Sequence, residues 1–165
     1  MIFETDRLRV RKLIKEDILP FHEMQSNPKV MRFVRKSLMN FEENTAELEQ
    51  LIQKYDFPQN DFFIYAITRK EDDTFVGTCA FVKDENDDEI GYRFLEKYWH
   101  KGYGKEVCKG MILYAKEQQI SKLIVYVSPK NVASEKIIKQ TGFQFIENTF
   151  CKDLQIPENK YQLIL

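Results

Sequence analysis

Residues 98–106, YWHKGYGKE, set two glycines one residue apart between an aromatic-basic stretch and the start of a helical pattern. Glycines so spaced suit two tasks: turning the chain, or letting the backbone close on an anion. A P-loop is excluded, because GxxxxGK followed by Ser or Thr occurs nowhere in the chain. A dinucleotide fingerprint is excluded too, since Val107 stands where its third glycine or alanine belongs. Two readings remain. In one, Gly102 makes a turn and Gly104 opens a helix. In the other, successive N–H groups from His100 through Lys101, Gly102, Tyr103 and Gly104 to Lys105 point at a bound anion, with the two lysines screening its charge.

Other reactive side chains are sparse. Glu89 is a carboxylate on a strand that otherwise reads apolar, and it also ends the acidic run DENDDE, a composition usual for a solvated loop. Cys79, Cys108 and Cys151 are odd in number, without CxxC spacing, and read as reduced thiols. With two histidines, His22 and His100, no metal site is expected. A net charge near −1 carries no nucleic-acid footprint, and the apolar runs are too short for a membrane span. The N-terminal residues are charged early and lack a signal-peptide core, so a cytoplasmic location is expected.

These residues need elements to position them, and 165 residues are most simply one domain. DRLRVRKL alternates as a half-exposed strand, and KEDILPFHEMQ reads as a helix with Pro20 in its first turn. Asn40 with Glu43 makes a capping box for a helix whose face carries Phe41, Leu48, Leu51 and Tyr55. Residues 62–69, 74–82 and 89–95 are strand-like, the last two joined by KDENDDE as a hairpin loop. A helix follows over 103–118, with Val107, Cys108, Met111, Ile112 and Ala115 on one stripe. KLIVYV (122–127) reads as a strand buried on both faces. NVASEKIIKQT is a short helix closed by Gly142, and FQFIENTF and KYQLIL are final strands. The order β-α-α-β-β-β-α-β-α-β-β predicts a single α/β or α+β domain.

Taken together, the glycine stretch and its neighbours resemble the GCN5-related N-acetyltransferase (GNAT) family, whose pyrophosphate loop reads Gln/Arg-x-x-Gly-x-Gly/Ala. Trp99 at the first position is similar to the ribosomal-protein-alanine (RimJ/RimL-like) branch. ETDRLRVRKLIKEDI, EIGYRFLEKYWHKGYGKE and NVASEKIIKQTGF resemble the same branch in order. The resemblance implies residues 1–165 as one N-acetyltransferase domain, with a mixed, mostly antiparallel sheet of about seven strands. In it the fourth and fifth strands, 89–95 and 122–127, splay apart. It implies acetyl-CoA as co-substrate, with pantetheine along Arg93, Phe94 and Leu95, and pyrophosphate on the N–H groups of 100–105. Asn131 and Ser134 are further cofactor residues, Asn131 being equally suited to cap its helix. His100, Lys101 and Lys139 are candidates for adenosine and its phosphates on charge alone.

Acetyl transfer to an amine needs a proton acceptor for the ammonium and a proton for the departing thiolate. Glu89 is the candidate base, with Asp153 as runner-up. Where many members carry a tyrosine acid on the last helix, this chain has Ile138; Ser134 is the implied substitute, with Tyr92, Tyr103 and Tyr126 as fallbacks. The expected acceptor is an amine, on a protein N-terminus or a small molecule such as an antibiotic, polyamine or amino acid. It would be shaped by residues 27–40 and 151–159. No metal, nucleic acid or membrane partner is expected, and the chain is expected as a monomer or homodimer. An acyl-CoA-binding or partner-binding module without transfer activity is the rival reading.

Overall fold

The computed structural model describes all 165 residues. Its strands are β1 (Phe3–Glu4), β2 (Leu8–Lys12), β3 (Phe62–Arg69), β4 (Phe75–Asp84), β5 (Asp87–Phe94), β6 (Lys122–Val127), β7 (Gln144–Cys151) and β8 (Ile156–Ile164). Its α-helices are α1 (Ile18–Gln25), α2 (Pro28–Met31), α3 (Phe41–Lys54), α4 (Tyr103–Glu117) and α5 (Val132–Gln140). One eight-stranded sheet runs β1-β2-β3-β4-β5-β6-β8-β7. Eight strands replace the expected seven or so, because the two-residue β1, paired with Arg9 and Val10, is too short for a periodicity to show.

Every neighbouring pair is antiparallel except β5 and β6. Their parallel ladder has two rungs, Asp88 with Leu123 and Glu89 with Ile124. β5 continues to Phe94 and β6 to Val127 unpaired with each other, so the sheet forks at Glu89.

Apolar clusters cover both faces. Val107, Met111, Ala115 and Ile138 of α4 and α5 pack with Val10, Ile67, Ile90 and Leu123. Phe21, Met24 and Leu48 of α1 and α3 pack with Ile64, Ala66 and Leu95. The capping box forms: Asn40 Oδ1 accepts from Glu43 N at 2.9 Å and Glu43 Oε2 from Asn40 N at 2.8 Å. Gly142, at φ 96°, ends α5 as its sequence position indicates.

The acidic link is a correction to the sequence reading. Residues 83–89 are not a loop: β4 and β5 pair down to Asp84 and Asp87, leaving a two-residue turn at Glu85 and Asn86. Asp84, Asp87, Asp88 and Glu89 are therefore strand residues, and strand alternation decides which of them face the fork.

Candidate active site

Glu89 closes the paired part of β5, half-buried, with no hydrogen bond to its carboxylate. Burial pushes its pKa from 4.5 up to about 7; Asp84 and Glu158 add to the rise and Lys160 opposes it. Burial also raises Glu158, on β8. Tyr126, two residues past the last rung on β6, donates to Asp84 Oδ2 at 2.6 Å and has Lys160 Nζ 5.5 Å from its ring centre. Burial, then that bond to Asp84, raise its pKa, so the phenol stays protonated. The fork thus holds a carboxylate that takes and gives a proton near neutral pH.

Asp153 is not part of this group. It lies exposed in the β7–β8 turn, whereas Asp84 and, further along β8, Glu158 are the acids that Glu89 feels. Glu158 has no local signal in the sequence, because only the β6–β8 pairing brings that strand beside the fork.

Alternation splits β5 into two faces. Ile90, Tyr92 and Phe94 turn toward α4 and α5, and Glu89 and Arg93 turn toward α1 to α3. The Tyr92 hydroxyl is buried beside Ser134 and Cys108 and makes no hydrogen bond of normal geometry. Burial holds its pKa well above the usual phenol value. Ser134 N–H donates to the Asn131 side chain at 3.3 Å, so Asn131 is the α5 cap. Ile138 is fully buried and brings no hydroxyl to the site.

The glycine stretch resolves into a concave turn. His100 and Gly102 both have positive φ, 59° and 79°, and the N–H groups of residues 100–105 donate to no backbone or side-chain acceptor. Successive free donors in such a turn, at the start of a 15-residue helix, make a concave nest of the kind that can accept an anion. Its geometry is fixed from behind. Arg7 Nη1 donates to the Lys101 carbonyl at 3.1 Å, and Arg7 stacks over Tyr103 at 4.7 Å. Glu106 in turn accepts from Arg7 N at 2.8 Å, Arg7 Nε at 2.7 Å and Thr5 Oγ1 at 2.6 Å. Tyr103 is buried, so it offers the nest its N–H and not its ring, while the side chains of His100, Lys101 and Lys105 are exposed. Gly104 has a packing reason too: a Cβ there would stand 3.0 Å from Ile137 Cδ1 and 3.3 Å from Tyr92 Cε2, closing the space between α4 and α5.

The expected pairing of a ligand with Arg93 to Leu95 needs correction. Leu95 donates its N–H to Val76 and accepts from Tyr98 N–H, so it has neither group free. Because Leu95 points its N–H at β4, alternation turns the backbone of Tyr92 and Phe94 to the forked edge. The Phe94 carbonyl accepts from Trp99 Nε1 at 2.9 Å. Lys139 is drawn to Glu135, at 3.2 Å.

The chain and its fold are similar to those of known proteins. Residues 7–144 match the family model described as the acetyltransferase (GNAT) domain. The chain belongs to the GNAT family.

This acetyltransferase is 25% identical over 147 residues to the uncharacterized N-acetyltransferase YnaD of Bacillus subtilis, covering 87% of this chain and 83% of that one. Its fold matches that of a GNAT-family acetyltransferase from Bacillus anthracis with a TM-score of 0.86, at 22% identity, over 98% of this chain and 97% of the other. It also matches RimL, the ribosomal L7/L12 alpha-N-protein acetyltransferase solved with coenzyme A, with a TM-score of 0.79 at 16% identity over 98% and 96% of the two chains. No helix of the acetyltransferase is long and apolar enough to cross a membrane.

Proposed function

We propose that this acetyltransferase carries acetyl from acetyl-CoA to a primary amine by direct attack, with both substrates bound together. The carrying observation is Glu89, a carboxylate with a pKa of about 7 placed where β5 and β6 part. A base of that pKa is half ionised at working pH and can accept the proton an attacking ammonium must lose.

The fold's own groups fit the co-substrate. Six unpaired N–H groups at residues 100–105 suit a pyrophosphate, and the edge-facing backbone groups of Tyr92 with the Phe94 N–H suit an extended amide chain laid into the gap. The amine nitrogen forms its bond to the acetyl carbonyl carbon and the C–S bond breaks. The amine's proton passes to Glu89, and the thiolate takes a proton from the Tyr92 hydroxyl, which lies beside Ser134 without a hydrogen-bond partner of normal geometry. The α4 face of β5 carries the donor and the α1–α3 face carries the base, so the two proton transfers are kept apart.

A covalent acetyl-cysteine route lacks an activated thiol: burial raises the pKa of both Cys79 and Cys108. RimL supports a protein N-terminus as acceptor, and the same chemistry serves a small amine. The test is calorimetric titration with acetyl-CoA followed by a CoA-release assay across an amine panel. Binding with amine-dependent release is expected. Binding without release from any amine would leave only a cofactor-binding module.

A further inference from the structure

Beyond the fork, on the α1–α3 side, a cavity of about 190 Å³ opens between the end of α2 and the β7–β8 hairpin. Arg32, Arg35 and Lys36 line it, over an apolar floor that includes Met31, Leu154 and Ile156. One carboxylate answers these cations: Glu47 holds Arg35 at 2.7 Å. Arg32 and Lys36 are exposed, and neither is paired with an acid. Behind the floor, Arg93 touches Met31 Sδ with Nη1 at 3.7 Å and donates to Thr78 Oγ1 from Nε at 3.2 Å; it makes no direct ion pair, and the carboxylate near it, Glu47, is already held by Arg35 and Gln25. Half-buried guanidinium groups are ordinarily paired, so this one marks a place where an anion is wanted.

The pocket's position gives it meaning. Ile156, in its floor, lies two residues before Glu158 on β8, about 7 Å at the usual strand rise. Arg93 shares a face of β5 with Glu89, four residues on, about 13 Å away. The acceptor side therefore has an acidic end at Glu89, Glu158 and Asp84, and a basic end at Arg32, Lys36 and Arg93. A purely cationic acceptor such as a polyamine would meet repulsion at the second.

We propose that this basic pocket is the acceptor's second anchor and selects amines that carry a carboxylate some two to three residues of extended chain from the nitrogen. An N-terminus with acidic side chains at its second or third position has that form. The assignment rests on the reading of the fork as the transfer site. Arg32 and Lys36 supply charge-assisted donors to the carboxylate, while Leu154 and Ile156 exclude water around it. Arg93, behind Met31, holds the potential positive from below.

The experiment measures CoA release from acetyl-CoA with the amides of Ala-Glu-Glu-Ala, Ala-Gln-Gln-Ala and Ala-Lys-Lys-Ala, and with free glutamate. The expected order is Glu over Gln by roughly tenfold or more in kcat/KM at low salt, carried mostly by KM, with Lys last. Added salt narrows the ratio. In Arg32→Glu/Lys36→Glu, two exposed positions whose exchange leaves the core untouched, the order inverts to favour the Lys peptide. Equal rates for Glu and Gln peptides would overturn the anchor and leave the transferase standing. Free glutamate outpacing the Glu peptide would overturn the spacing. No release from any amine, with acetyl-CoA bound, would remove the transfer reading and this inference with it.

Discussion

Replacing Glu89 with Gln removes a charge while keeping the shape, and the two readouts should move in opposite directions. With a pKa of about 7, roughly a tenth of the molecules carry ionised Glu89 at pH 6 and roughly nine tenths at pH 8. Wild-type kcat/KM should rise through that window, on top of any limb belonging to the acceptor amine. In Glu89→Gln the amine's limb stays and the enzyme's limb goes, with kcat/KM at pH 8 lower by about 10²- to 10⁴-fold. Stability runs the other way. The native state keeps a proton that the unfolded chain has lost between 4.5 and about 7, so wild-type stability falls as pH rises across that window and is flat beyond it. At about 1.4 kcal/mol per pH unit the full penalty is near 3 kcal/mol, and residual solvent contact brings it to about 1–2 kcal/mol. The variant carries no such penalty. Urea melts at pH 4 and pH 8, paired with initial rates from pH 5.5 to 9, check both halves. A Glu89→Gln enzyme that keeps the full pH profile, or is less stable than wild type at pH 8, would refute the assignment of Glu89 as a buried base.

Tyr92→Phe should lower kcat by about tenfold or more while leaving stability unchanged or raising it by up to about 1 kcal/mol, since it deletes a buried hydroxyl with no partner. Adding Ser134→Ala to it should cost little more, because both act on one proton; a double-mutant cycle with thermal melts measures this. Glu106→Ala releases Thr5 and Arg7 from behind the nest, and should raise the KM for acetyl-CoA about tenfold with a smaller change in kcat. Iodoacetamide should label Cys151 and spare the buried Cys79 and Cys108 in the native protein, as read by peptide mass spectrometry, with activity retained.

The glycine stretch was the most legible part of the chain. Two glycines, two lysines and a following helical stripe are local signals, and the free donors at residues 100–105 are where that pattern puts them. Glu89 was visible as a charge on an apolar strand, but its partners were not. Asp84 reads as loop until the turn is known to be two residues long, and Glu158 arrives through pairing of strands more than thirty residues apart in sequence. Asp153, the runner-up, lies exposed in the β7–β8 turn, apart from the fork. Arg93 was hidden for the opposite reason: in a strand, one arginine among aromatics looks solvated until α2 is seen to lie over it. The backbone register was likewise out of reach, which is why Leu95 was grouped with Phe94 although its N–H and carbonyl are both engaged.

The two-rung ladder between β5 and β6 also bears on how the molecule holds together. Strands β1–β5 and β6–β8 are in effect two half-sheets, zipped by those rungs and strapped by α4 and α5 across one face. Amides beside the fork that are bonded to the outer strands, such as those of Gly91 and Arg93, should exchange with solvent hydrogen through local openings well below global unfolding. A ligand that fills the gap bonds to both halves at once and closes that motion. Cofactor occupancy and cohesion of the sheet are then one linked equilibrium, in which the melting temperature climbs with ligand concentration.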